Sequence, residues 1–151
     1  MRLKDSIVIN ASPNKVWKYV GSPDRWGLFH AKVDGCELIS GQGGRLGSVY
    51  TIGFRMGAKT TPTRCEIVDM QPGAMIQVRS TDVDPSQPGA SATLTYELDD
   101  LGSRTRVRER VEFFVPGVNV VFRVIIWLIS RFGRPQGETT LGKLKRMAEE
   151  G

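Results

Sequence analysis

Residues 118–148 read VNVVFRVIIWLISRFGRPQGETTLGKLKRMA, and the spacing of apolar residues within them decides the fold. Val118, Val121, Phe122, Ile125, Ile129 and Phe132 recur at helical intervals and predict one apolar helix face. Val120, Val124 and Trp127 fall on another side, so the first half is apolar nearly all round. A helix of that kind needs more than one cover. A sheet supplies one. The second side is left to a cavity, a partner chain or a lipid surface. Gly133-Arg134-Pro135-Gln136-Gly137 interrupts the pattern, and Pro135 removes a backbone donor, so a kink or break is expected there. Helix then resumes with Leu141, Leu144 and Ala148 on one face.

Upstream of this stretch the chain reads mainly as strand. Residues 3–10 (LKDSIVIN) form a first strand, stopped by Ala11-Ser12-Pro13. Ser12 as N-cap and Pro13 at the first helical position open a short helix with Val16, Trp17 and Val20 on its apolar face. Gly21 ends it, and Ser22-Pro23-Asp24 opens a second, shorter helix containing Trp26. Alternation then predicts strands at 33–40, 47–56, 59–70, 75–82, 91–99 and 104–115. Short turns rich in Gly, Pro and Asp separate them, as in an antiparallel meander. With the first strand the count is seven. Parity puts Tyr50, Ile52, Phe54 and Met56 on one side, with Ile76, Val78, Leu94, Tyr96, Leu98, Val107, Val111, Phe113 and Val115. That side must be buried against the C-terminal helix.

Composition bounds the function. A chain of 151 residues, 40% hydrophobic and 25% charged, suits one globular domain spanning 1–151. No secretory leader is visible at the N-terminus, and the longest apolar run falls short of the roughly 20 residues of a spanning helix. A soluble cytoplasmic protein is expected. The net charge of +5 would suit an anionic partner, but Arg104, Arg106, Arg108 and Arg110 alternate along one strand without the aromatic residues that stack bases. They read as a solvated outer face, and no nucleic-acid partner is expected. Cys36, Cys65 and His30 are too scattered for a structural metal site, and both thiols read as buried small apolar side chains. Neither a metal nor a cofactor is expected.

Glu109 breaks the pattern, since it shares the inward parity of Val107 and Val111. An inward carboxylate costs free energy unless paired or wetted. It is a polar group in a ligand cavity with a raised pKa, or a bulge shifts the parity, or the side chain reaches water at an open end of the sheet.

The segment IxASPxxVWxYVxSPDRWxLF at 9–29 resembles the opening of the START/Bet v 1-like (SRPBCC) superfamily, in its polyketide cyclase/dehydrase and lipid transport branch. Ala11, Pro13, Val16, Trp17, Asp24 and Trp26 carry the likeness, with Asp24 two residues before Trp26. Gly47 after a Gly-rich turn, EIVDMxPG at 66–73 and LKRMAEE at 144–150 extend it over nearly the whole chain. The resemblance implies an α+β helix-grip fold. In it a seven-stranded curved antiparallel sheet wraps a long C-terminal helix, with two short helices between strands 1 and 2. It also implies an apolar cavity for a hydrophobic small molecule such as a lipid, isoprenoid or aromatic polyketide.

The expected cavity residues are Trp26, Phe29, Tyr50, Phe54, Tyr96, Glu109, Phe113, Phe122 and Ile125. Trp26 and Phe29 are either its wall or its plug. No catalytic residue carries over by motif. His30 and Glu109 are the candidates if the chain is a cyclase or dehydratase acting in that cavity. A third expectation is peripheral membrane contact or a homodimer through Val120, Val124 and Trp127.

Overall fold

A computed structural model describes residues 2–30, 32–56, 59–81, 91–114 and 140–150. The apolar stretch 118–132, the break at 133–137 and the turns at 57–58 and 84–89 lie outside these. So do Phe122, Ile125, Val120, Val124 and Trp127.

The described strands are β1 (Arg2–Ile9), β2 (Val33–Ser40), β3 (Val49–Met56), β4 (Lys59–Gln71), β5 (Met75–Thr81), β6 (Ser91–Asp100) and β7 (Thr105–Phe114). Helix α1 (Pro13–Val20) follows β1, then a 3₁₀ helix (Pro23–Leu28), and helix α2 (Thr140–Glu150) comes last. All seven strands form one antiparallel sheet in the order β1-β7-β6-β5-β4-β3-β2. The meander runs from β2 to β7, and β1 returns to close beside β7, pairing the two ends of the sheet-forming sequence. The turn at Gln71-Pro72-Gly73-Ala74 shows the local logic: Pro72 pre-sets one corner, Gly73 takes φ 80°, and Ala74 N–H donates to Gln71 O at 2.8 Å.

Register breaks bend the sheet. One lies in β4 between Ile67 and Asp69, and two lie in β2, between Val33 and Cys36 and between Leu38 and Ser40. Such bulges kink a strand and add twist. The first β2 break pushes the Asp34 carbonyl toward β3, where a Cβ on Gly53 would stand 2.3 Å from that oxygen. Only glycine fits there.

The inner face carries Ile9, Tyr50, Ile52, Cys65, Ile67, Ile76, Val78, Tyr96 and Val107, each at most 1% exposed. Val16 and Val20 from α1, Trp26 and Phe29, and Leu141, Leu144 and Ala148 from α2 join the same core. Each large aliphatic side chain buried this way contributes about 1.5–3 kcal/mol. The buried Thr105 hydroxyl donates to Ala11 O at 2.8 Å and fastens the entry of α1 to β7. At the other terminus, Asn10 N–H donates to Glu149 Oε1 at 2.7 Å.

Several expectations are corrected in detail. Ser12 occupies the N-cap position but its side chain makes no capping bond; its carbonyl receives Lys15 and Val16 N–H instead. The second short helix is 3₁₀. Trp17, on the apolar face of α1, is partly buried against the edge of the core and lies over Gly21, where a Cβ would meet its ring at 2.3 Å. Cys65 is buried as expected, but Cys36 is only partly so.

Candidate functional site

Hairpin geometry brings the site together. In the β6–β7 hairpin Asp100 pairs with Thr105, which places Tyr96 opposite Glu109. The long-range β1–β7 pairing then places Asp5 opposite Glu109. Directly opposed residues share a face, so Asp5, Glu109 and Tyr96 form one row on the inner side. The register through Glu109 is unbroken on both flanks, so no bulge shifts its parity.

Tyr96 is fully buried, and its O–H donates to Glu109 Oε2 at 2.6 Å. Trp26 and Phe29 meet the Tyr96 ring edge-on, at centroid distances of 5.6 and 6.2 Å and interplanar angles of 75° and 70°. These T-shaped contacts are favoured by the ring quadrupoles. Trp26 satisfies its indole N–H on Val20 O at 2.9 Å. The result is an aromatic cluster with one polar outlet, the part-buried Glu109 carboxyl.

Burial raises the Glu109 pKa, the Tyr96 hydrogen bond opposes that rise, and the Asp5 charge adds to it. Burial, then the Glu109 charge and hydrogen bond, hold the Tyr96 phenol well above its ordinary value, so it stays a donor.

A second polar place lies three strands away on the same face. Buried Tyr50 accepts Gly44 N–H at 2.6 Å, beneath a loop whose Gly41, Gly43, Gly44 and Gly47 all take positive φ. Beside it, Cys65 Sγ lies 3.1 Å from Ser80 Oγ. Burial pushes the Cys65 thiol up to about 11 and the Cys36 thiol to about 12, so neither is a ready nucleophile. Ser48 Oγ is buried with no hydrogen-bond partner among the described residues.

His30 is held apart from Glu109 in its bonding. Its Nδ1 accepts Lys32 N–H at 3.2 Å, which leaves the proton on Nε2. Burial, with help from the Lys32 charge, lowers its pKa to about 4, so the ring is neutral at pH 7.

Of the residues singled out from sequence, Trp26, Phe29, Tyr96 and Glu109 come together directly. Tyr50 and Phe54 share the inner face on β3, and half-buried Phe113 lies opposite Ala92 on β7. Phe122 and Ile125 fall outside the described residues. Asp5 was missed. Its signal was the alternation Leu3, Asp5, Ile7, Ile9, which gives it inward parity. Among the described residues no group of three or more His, Cys, Asp or Glu is placed to hold a metal, and no helix is long and apolar enough to cross a membrane.

The outer face differs. Arg108 reaches Glu97 at 2.7 Å and Asp99 at 2.9 Å, Arg110 reaches Glu112 at 3.1 Å, and Arg2 reaches Glu112 at 3.2 Å. Within the arginine row, Arg108 and Arg110 belong to a solvated ion-pair lattice.

A curved seven-stranded sheet carrying a C-terminal helix and two short helices on its inner face defines the Bet v 1-like helix-grip class. The chain belongs to the polyketide cyclase / dehydrase and lipid transport family, which it matches over residues 1–149. Among solved structures the fold is similar to the Zhui aromatase/cyclase from Streptomyces sp. R1128, at TM-score 0.76 and 11% identity over 99% of this chain and 94% of that one. It is similar to ginseng major latex-like protein 151 from Panax ginseng, at TM-score 0.69 and 15% identity over 98% and 97%. It is also similar to Ara h 8.0201, at TM-score 0.68 and 12% identity over 100% and 99%. No curated protein matches the sequence.

Proposed function

We propose that the chain binds a hydrophobic small molecule (a lipid, isoprenoid or aromatic polyketide-like compound) in an internal cavity between the sheet and the C-terminal helical segment. The observation that carries this reading is the inner face itself. It presents aromatic walls at Trp26, Phe29, Tyr50, Phe54, Tyr96 and Phe113, with one hydrogen-bonded carboxyl, Glu109, among them. Small-molecule sites generally combine apolar walls with a few fixed polar groups. Phe122 and Ile125 complete the proposed lining from sequence. Titration with N-phenyl-1-naphthylamine, a neutral apolar dye, tests it. Saturable one-to-one binding with a blue-shifted emission is expected, and native mass spectrometry should show a guest molecule on the purified chain. A linear, non-saturating response with a bare chain by mass would overturn the reading.

A cyclase or dehydratase acting in the same cavity is the second reading. It is favoured by the raised pKa of Glu109, which moves a carboxyl toward the range useful for proton transfer. The aromatase/cyclase activity named for the Zhui structure points the same way. A binder shows no turnover in wild type or in Glu109→Gln; an enzyme loses turnover in Glu109→Gln while keeping its ligand.

A further inference from the structure

The net charge of +5 suggests an anionic ligand, yet the positive charge is on the wrong side of the sheet. Lys4 on β1 and Arg106, Arg108 and Arg110 on β7 have outward parity, and Arg108 and Arg110 are engaged by Glu97, Asp99 and Glu112. Among the described residues of β1, β6 and β7, no Lys or Arg has inward parity. What faces inward from these strands is a carboxyl with a single partner among the described residues. Tyr96 donates to Oε2, and neither oxygen of Glu109 is a buried atom without a partner. Oε1 has no partner among the described residues and is left able to accept from a guest. An ionised carboxyl only accepts hydrogen bonds, and Asp5 adds a second negative group in the same row.

We propose that Glu109, oriented by Tyr96, is the specificity-determining residue of the site. It selects apolar molecules whose polar end donates a hydrogen bond, as an alcohol or phenol does, and rejects those ending in a carboxylate. This rests on the cavity reading above. Carboxylate-headed guests would meet the like charge of part-buried Glu109, where repulsion is stronger than in bulk water, with exposed Asp5 adding to it. Hydroxylated guests complete the acceptor that the protein leaves open.

Three probes of one shape test this by equilibrium dialysis at pH 8: naphthalene, 2-naphthol and 2-naphthoate. Wild type should bind 2-naphthol at least tenfold more tightly than naphthalene, and 2-naphthoate at least tenfold more weakly than 2-naphthol. Glu109→Gln removes the negative charge and, with the side-chain carbonyl accepting from Tyr96 as Oε2 does, offers an amide N–H₂ to the guest. The preference should then swing toward 2-naphthoate by at least tenfold, with a melting temperature at or above that of wild type reporting an intact fold. Equal binding of naphthalene and 2-naphthol to wild type would overturn the specificity while leaving the cavity standing. Failure of all three probes to bind, naphthalene included, would overturn the cavity reading and the specificity with it. A Glu109→Gln chain that loses all three affinities equally would assign Glu109 a structural role and overturn the proposal.

Discussion

The two faces of β7 hold similar charged residues to opposite effect. Outside, Arg108 is about half exposed and bridges Glu97 and Asp99, in a lattice shared with Arg110 and Glu112. Inside, one residue along from Arg108, Glu109 has one hydrogen-bond partner and no counter-charge from the described strands. Exposed pairs are screened and each contributes at most about 1 kcal/mol. A buried carboxyl carries a desolvation cost of several times that unless its bonds are satisfied. The difference teaches that the number of charges on a strand says little about where its chemistry lies. Which side of the pleat a charge occupies says much more.

Mutations at the inner row should therefore outweigh those outside. Tyr96→Ala should cost about 3–5 kcal/mol, because it opens a void between Trp26, Phe29 and Ile76 and removes the donor to Glu109. Urea denaturation at pH 7 measures this. Tyr96→Phe keeps the ring and isolates the hydrogen bond, so a loss of about 1–3 kcal/mol is expected, with the Glu109 pKa moving further up by carboxyl NMR titration.

Glu109→Gln should act with a pH signature. Folding raises the Glu109 pKa, so the native chain holds that proton more tightly than the unfolded chain. The stability tied to this group is complete below the ordinary glutamate value of about 4.3 and declines as pH rises through the raised value. The Gln variant lacks that decline. It should be more stable than wild type by about 1 kcal/mol at pH 8, with the margin shrinking toward pH 4. A margin that grew on acidification would reverse the assignment. Arg108→Ala on the outer face should change stability by less than about 1 kcal/mol, and less still in 1 M salt. A larger loss there would erase the contrast between the faces.

Much of this was legible in the sequence for physical reasons. Seven alternating runs separated by Gly and Pro turns define the strands, because a pleated half-buried strand forces a period of two. The inward parity of Glu109 followed from Val107 and Val111. The Tyr96–Glu109 pairing could have been counted outward from the tight turn near Leu101-Gly102. The Asp5–Glu109 pairing could not, because β1 and β7 are joined only through tertiary structure. The β4 break at Val68 left no Gly or Pro to mark it. The edge-on seating of Trp26 and Phe29 against Tyr96 depends on how the helices dock, which no local pattern encodes.

The broken register of β2 has a consequence for the chain in company. Among the described strands this one ends the sheet, with no strand beside its outer backbone groups. Only Cys36, Glu37 and Leu38 run in uninterrupted register between the two breaks. An incoming strand would lose its ladder after about one repeat at either side, too short to template fibre growth. Gly53, by leaving room for the Asp34 carbonyl, preserves that kink. A single missing methyl on the neighbouring strand thus keeps this edge of the sheet from offering a straight ladder.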